Sequence, residues 1–308
     1  MTDPVGPRLV FAVDLGGTHL RMALVDDEGT IHKQVKRATP QGKPAEVLVE
    51  ALVSTAQQWS EEHVPPVAAS ILVPGAVDST QSVVLGAPNL PSLINFDLKA
   101  ELQRRLGWPI VLENDANGAA MGEMWRGAAR GCQDVVSVTL GTGVGGGVIL
   151  NGELWRGAHG SAGEIGHTTV DPFSGLKCKC GNTGCLELFA SATAIVRMAR
   201  EAGLEGLSAV EVYEAGLKGD ERAVAVFNRF GMYLGIGLAN LMSLIDPQII
   251  VITGGAVNGW DLFASEMYRQ VEERAFRATA QQVKIARAEC GDDAGLLGAA
   301  RLAFAGQD

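Results

Sequence analysis

Positive charge is scarce in this chain: 25 Lys and Arg stand against 35 Asp and Glu, a formal net charge of −10 over 308 residues. No basic stripe is available to neutralise phosphates, which excludes a nucleic-acid partner held by electrostatics. No uninterrupted apolar run is long enough to span a bilayer. The first residues, MTDPVGPRLVFAV, contain no basic region leading into an apolar segment, so they do not form a signal peptide. These absences predict a cytoplasmic protein that engages neither nucleic acid nor membrane. Low-complexity tracts and obvious linkers are also missing, and no G-x-x-x-x-G-K-[ST] occurs, which excludes a P-loop protein. The chain is long enough for one large or two medium domains with a sizeable core, so bulk stability needs no staple.

Glycine, by contrast, is abundant, with 39 residues. The segment LVFAVDL reads as a buried strand, followed by the turn GGTH, a second strand LRMALV, the polar turn DDEG and a third strand at 31–36. The pattern returns in DVVSVTL, the turn GTGVGG, the strand GVIL and the hairpin signal Asn151–Gly152. Setting Leu15 on Leu140 puts Val25 on Leu150, which suggests two related halves. Further strands are AASILV, PIVLEN and QIIVIT. Helices are expected at 97–106 with Asp97 as N-cap, from Asp115, at 187–202, at 220–245 with Gly231, Gly235 and Gly237 allowing close packing, at 260–277 and at 294–305. Strands and helices alternate, so the fold class is α/β.

Several glycine turns fit phosphate binding. In DLGGT, Gly16 and Gly17 let backbone N–H groups approach an anion, Thr18 adds a hydroxyl, and Asp14 at the strand end could hold a hydrated magnesium ion. A plain β-hairpin explains the same turn. GTGVGG, from Gly141 through Thr142 and Gly143, matches the dinucleotide pattern G-x-G-x-x-G. A strand follows rather than a helix, which excludes that reading. Gly254 and Gly255 end a buried strand before a helix, a point that suits a nucleotide or simply a tight connection. In LENDANGAA, local sequence favours Asp115 as a helix N-cap. The functional alternative makes it a carboxylate at the mouth of a cleft, accepting a hydroxyl proton, with Asn114 hydrogen-bonding a sugar beside it.

Three of the five cysteines lie within eight residues, Cys178, Cys180 and Cys185, downstream of His167. Cys3His is a complete tetrahedral zinc set with no open position, so the reading is structural zinc. The C-x-C spacing disfavours a thioredoxin-like pair. Gly181 and Gly184 permit the tight loop. Cys132 and Cys290 read as ordinary small core residues. Glu164 and Glu187 bracket the cluster, and with Asn114 and Asp115 they form a set of hydroxyl acceptors.

VDLGGTHLRMAL, PGAVD, APNLP, ENDANGAA, LGTGVGGGVI, GSAGEIGH, CKCGNTGCLE and ITGG, in this order over nearly the whole chain, resemble the ROK family (repressor, open reading frame, kinase) of the sugar kinase and actin superfamily. The resemblance implies a two-domain actin-like ATPase (ribonuclease H-like) fold with a ligand cleft between the domains. Residues 1–117 plus 296–308 would form the smaller domain and 118–295 the larger, zinc-bearing one. It implies Asp115 as general base, and Gly75, Asn89, Asn114, Glu164, His167 and Glu187 around the sugar. Gly16, Gly17 and Thr18 would form one phosphate turn, Gly141, Thr142 and Gly143 the other, with Gly254 and Gly255 on the adenosine side. His167 would also bind zinc with Cys178, Cys180 and Cys185.

Family repressors carry a helix-turn-helix before the DLGGT strand. Here that strand begins within about ten residues, which leaves the kinase branch. The expected activity is transfer of phosphate from Mg-ATP to C6 of a hexose, glucose first, by a homodimer. N-acetylmannosamine or N-acetylglucosamine kinase, fructokinase and a non-catalytic sugar sensor are the alternatives. Polyphosphate remains open as the donor.

Overall fold

The computed structural model describes residues 7–78, 80–87 and 90–307. In chain order the elements are β1 (Leu9–Leu15), β2 (His19–Asp26), β3 (Ile31–Ala38), α1 (Ala45–Glu62), β4 (Ala68–Val73), β5 (Ala76–Val77), β6 (Val84–Gly86), α2 (Leu98–Leu106), β7 (Ile110–Asn114) and α3 (Asp115–Arg126). Then follow β8 (Val135–Leu140), β9 (Val144–Leu150), β10 (Glu153–Leu154), α4 (Ala192–Glu201), α5 (Ala209–Leu217), α6 (Glu221–Ile245), β11 (Ile249–Thr253), α7 (Trp260–Arg274), α8 (Arg277–Ala280), β12 (Lys284–Arg287) and α9 (Ala294–Ala305).

The two halves repeat one plan. The first sheet runs β3-β2-β1-β4-β7 and the second β10-β9-β8-β11-β12. In each, two antiparallel pairings are followed by two parallel ones. The suspected duplication is therefore real at the level of topology, with one correction to its alignment. Leu15 pairs with Leu20, whereas Leu140 pairs with Val144, so the second turn is one residue shorter. Val25 then corresponds to Ile149, through their partners Val10 and Val135, and not to Leu150.

Strand alternation sorts the core into three layers. Leu9, Phe11, Val13 and Leu15 of β1 face α1 and α2. Val136, Val138 and Leu140 of β8, with Ile250 and Ile252 of β11, face the helices of the second half. The opposite faces (Val10 and Ala12 of β1, Val135, Ile249 and Val251) meet in a middle layer filled by α3 and α9. These two helices cross at bare backbone. A Cβ on Gly298 would stand 1.7 Å from the Gly118 carbonyl oxygen, and one on Gly122 would stand 2.1 Å from that of Ala294.

Most expected elements are present, with four departures. The helix expected at 187–202 is broken: a 3-10 turn, Leu186–Leu188, precedes α4, whose N-cap is Ser191 accepting from Ala194 N at 3.1 Å. The helix from Trp260 ends at Arg274, before the extended Ala275. β9 begins at Val144, inside the segment expected to be a glycine turn. The N-cap of α3 is Asn114, with Oδ1 accepting from Ala116 N and Asn117 N at 2.9 and 3.1 Å, and Asp115 is the first helical residue. An amide oxygen can reach both orphan N–H groups from the capping position, so Asp115 only shares the Ala116 N–H, which its Oδ1 accepts at 2.9 Å. Asp246 in the left-handed region ends α6 before Pro247, as expected.

Candidate active site

A cavity of about 760 Å3 opens between the two halves, within the roughly 300–1,000 Å3 common for small-molecule sites. Its wall includes Gly75, Asn114, Asp115, Gly141, Thr142, Gly143, Glu164 and Glu187, so residues far apart in sequence converge. Asp14, the turn at 16–18, Gly254 and Gly255 stand outside this lining. Asn89 lies outside the described residues.

Asp115 sits where β7 becomes α3, at the positive end of the helix. Burial nevertheless pushes its carboxyl up to about 6, helped by the charge of Asp14 and, less, of Glu164, and opposed by the Ala116 N–H. That value suits a group exchanging a proton near neutral pH. The neighbouring Asn114 is nearly saturated. Its Oδ1 caps α3 and its Nδ2 donates to the Gly75 carbonyl at 3.0 Å, which leaves one N–H for a ligand. Gly75 is obligatory for a second reason: at φ +119 its missing Cβ would lie 1.7 Å from the Gly86 carbonyl oxygen.

The segment with Glu164 and His167 lies on β9, and glycines make this possible. Gly146 faces the Gly163 carbonyl and Gly166 the Val144 carbonyl, with absent Cβ atoms 2.7 and 2.1 Å from those oxygens. On the other face of β9, Gly145 and Gly147 press on Ala116 and Ala120 of α3, at 3.1 and 2.7 Å by the same measure. Much of GTGVGGG is thus a thin spacer between α3 and the Glu164 segment.

The remainder, Gly141 to Gly143, is a turn closed by Gly141 N donating to Gly143 O at 2.9 Å. It is tied to α4 by Ala192 N to Gly141 O at 2.8 Å and Thr193 Oγ1 to Thr142 O at 2.7 Å. Glu187 reaches it too, accepting from Val144 N at 3.1 Å. Leu186 beside Glu187 rests in a notch at Gly237 of α6, where a Cβ would lie 2.8 Å from its Cδ2.

His167, Cys178, Cys180 and Cys185 come together, with their ligand atoms all within 4.8 Å of one another. Cys178 Sγ lies 3.6 Å from His167 Nδ1, and Cys180 Sγ lies 3.6 Å from Cys185 Sγ. Ligands around one zinc at ordinary bond lengths lie roughly 3.3–3.8 Å apart, so the set fits. Burial pushes the Cys185 thiol up to about 12, and the neighbouring thiols add to this, a crowding that a cation would relieve. The imidazole has two faces in use: Nδ1 toward the sulfurs and Nε2 toward Glu164 Oε2 at 3.8 Å. Gly181 and Gly184 adopt φ +97 and +74, as the tight loop demands. Tyr233 of α6 anchors its base, donating to Asp171 at 2.7 Å.

In the first turn Gly16 N donates to His19 O at 2.8 Å, while Thr39 Oγ1 donates to Gly16 O at 2.7 Å. Burial holds the Asp14 carboxyl above its ordinary range, against Arg21 at 3.7 Å. Gly295, at the start of α9, makes room for it: a Cβ there would be 2.8 Å from the Asp14 carboxyl. Gly254, at φ +92, lies against Leu140, whereas a Cβ on Gly255 would meet nothing within 4 Å.

The sequence reading passed over Glu113, Gln81 and Arg156, which also line the cavity. The signal was present in PIVLEN, where a lone acid ends an apolar strand directly before Asn114–Asp115.

Two copies of one sheet plan, closed on a shared middle layer and open at a cleft between them, define the two-domain actin-like ATPase fold. The chain belongs to the ROK family, whose family model matches residues 10–305. It is 34% identical to a glucokinase of Thermotoga maritima, covering 96% of this chain and 98% of that one. It superposes on the ROK hexokinase of Thermus thermophilus with a TM-score of 0.87 at 33% identity, over 97% of this chain and 99% of that one. A ROK glucokinase of Streptomyces griseus, solved with glucose and AMPPNP, gives 0.79 at 37% identity over 96% and 99%.

Proposed function

We propose that the protein is an ATP-dependent hexose kinase, with glucose as its preferred acceptor and glucose 6-phosphate, an entry point to glycolysis, as its product. The observation that carries this reading is the Asp115 carboxyl. It is half-buried, pushed up to about 6, and held at the wall of a cavity that Asn114, Glu164, Glu187 and the Gly141–Gly143 turn also line. Asp115 takes the proton from the C6 hydroxyl as that oxygen attacks the γ-phosphorus in line. General-base help of this kind contributes roughly 10²–10⁴-fold. Glu164, Glu187, His167 Nε2 and the free N–H of Asn114 hold the other hydroxyls. Phosphoryl transfer asks for position and charge compensation more than covalent work.

Mg-ATP, when bound, supplies the transferable phosphoryl group and the metal that offsets its charge. Asp14 would face that metal. The turns at 16–18 and 141–143 would take the phosphates, and Gly254–Gly255 the adenosine side, where the open space beyond Gly255 supports the assignment. Since Asp14 and the 16–18 turn stand outside the cavity lining, the reading includes approach of the two halves when substrates bind. A zinc ion, when bound by His167, Cys178, Cys180 and Cys185, supplies a closed tetrahedral clamp and no reactive position. The division into 1–117 plus 296–308 and 118–295, supported by the presence of two separate five-stranded sheets, belongs to the same proposal. So do a homodimer, as the family resemblance implies, and the cytoplasm, where ATP is available. No described helix is long and apolar enough to cross a membrane.

A coupled assay over hexoses and N-acetylated amino sugars, with ATP or polyphosphate, tests the reading. Glucose with ATP should give the highest kcat/KM. Preference for an N-acetylated sugar would replace the acceptor, and absence of transfer to every sugar would end the kinase reading.

A further inference from the structure

Glu113 is the most enclosed carboxylate at the cavity, 3% exposed, and the chemistry proposed above makes no use of it. Its oxygens are fully engaged. Oε1 accepts from the Asn114 backbone N–H and from Asn117 Nδ2, each at 2.9 Å. Oε2 accepts from Gln81 Nε2 at 3.0 Å and from Arg156 Nε at 2.6 Å. Three of these donors belong to the first half or to the start of α3. Arg156 alone comes from the second half, just past β10. Its own carbonyl accepts from Ala162 N at 3.1 Å, closing the loop that delivers Gly163 and Glu164. One ion pair therefore connects the Asn114–Asp115 junction to the loop carrying Glu164.

A buried carboxylate is stable only when its charge is matched, and a planar guanidinium donating through Nε fixes direction as well as charge. We propose that Glu113 and Arg156 form a latch across the sugar end of the cleft. It sets the distance between the proton acceptor and the opposite hydroxyl acceptors before nucleotide binds. Both are positioning residues: neither exchanges a proton nor touches phosphate. The latch rests on the hexose kinase reading for its substrate, but not for its geometry.

The test compares wild type, Arg156→Gln, Glu113→Gln, the double variant and Arg156→Lys, by kinetics and by the rise in Tm that glucose produces without nucleotide. Losing one partner of this pair, whose carboxylate is buried and whose guanidinium is half-buried, should raise the hexose KM roughly tenfold or more, while kcat falls less than about threefold and the KM for ATP is unchanged. The double variant should be no worse than Glu113→Gln alone, and Arg156→Lys should recover part of the loss, since charge survives without the directed Nε–H. Effects that add independently would overturn the latch, as would a fall in kcat at unchanged hexose KM, or a change in Tm with normal kinetics. If wild type transfers phosphate to no hexose, the kinase reading fails separately. The latch then stands if Arg156→Gln abolishes a glucose-dependent rise in Tm, and falls if that rise survives or wild type shows none.

Discussion

Gly298 of α9 faces the Gly118 carbonyl of α3 with no room for a methyl group between them, since a Cβ would lie 1.7 Å from that oxygen. Both helices fill the layer between the two sheets, so this contact is where the halves are joined. Gly298→Ala must therefore push the helices apart. Overpacking of this kind costs about 1–3 kcal/mol or more, and thermal unfolding should show a clear drop in Tm. Gly255→Ala is the matched comparison, with nothing within 4 Å of the new methyl. Its Tm should stay at the wild-type value while the KM for ATP rises. A normal Tm for Gly298→Ala would refute the tight crossing.

Asp115 should dominate the pH profile. With its carboxyl at about 6, kcat/KM should rise through pH 6 on the acid side, because only the carboxylate accepts a proton. Asp115→Asn should bind glucose and lose roughly 10²–10⁴-fold in kcat. Its stability should change in the opposite sense. A carboxyl raised from 3.8 to about 6 favours the fold only while protonated, and this contribution is lost as pH rises through 6. Asparagine carries no such charge, so the variant should be more stable than wild type at pH 8, by on the order of 2 kcal/mol, and closer to it at pH 5. An unchanged acid limb in the residual activity of the variant would assign that limb elsewhere.

Asp26 has the reverse sign. It accepts from Glu28 N at 3.0 Å, Thr30 N at 2.7 Å and His32 Nε2 at 2.7 Å. Against the cost of its burial, these partners, His32 foremost, hold its carboxyl below the ordinary 3.8. Its contribution is present above pH 4 and is lost as pH falls toward the depressed value. Asp26→Ala should destabilise by roughly 2–4 kcal/mol at pH 7, leaving the turn between β2 and β3 unsatisfied, without changing either KM. Urea unfolding at pH 7 and pH 3 would measure it, and equal losses at both would contradict the linkage.

Metal analysis should find one zinc per chain. Cys178→Ser or exhaustive chelation should raise the hexose KM and lower Tm, with kcat at saturating sugar affected least, since His167 of the cluster stands beside Glu164 of the cavity wall. Metal-free protein with unaltered sugar affinity would remove the supporting role assigned to this loop.

Where the hydrophobic period was strong, the sequence was a good guide. LVFAVDL and QIIVIT alternate between two packed layers, and both are strands at the expected places. Less regular elements escaped. α1 starts behind Pro44 with no capping side chain, and β12 is a short, partly exposed strand at the sheet edge. Two misreadings came from local chemistry that allows two answers. Asn114 and Asp115 can both cap a helix, and only the Gly75 carbonyl and the Ala116 and Asn117 N–H groups decide for Asn114. GTGVGG reads as a single turn until strand pairing divides it after Gly143. The cysteine spacing sufficed to predict the cluster, because three cysteines within eight residues of one tight loop cannot lie far apart. Glu113 could not be assigned, since its partner Arg156 lies 43 residues away and meets it only across the cleft.

The glycines of β9 have a consequence for any mutational map of this enzyme. At 145–147 the chain is one bare backbone thick, with α3 against one side and the Glu164 segment against the other. The spacing of α3 from the Glu164 segment at this point is thus gauged by the thickness of a peptide plane, a dimension that no choice of side chain can reduce. Substitutions there will be scored as loss of activity through the packing they disturb as much as through any contact with substrate. An inventory of essential positions will accordingly overstate the contact surface of the sugar and understate how much of the site consists of side chains that are absent.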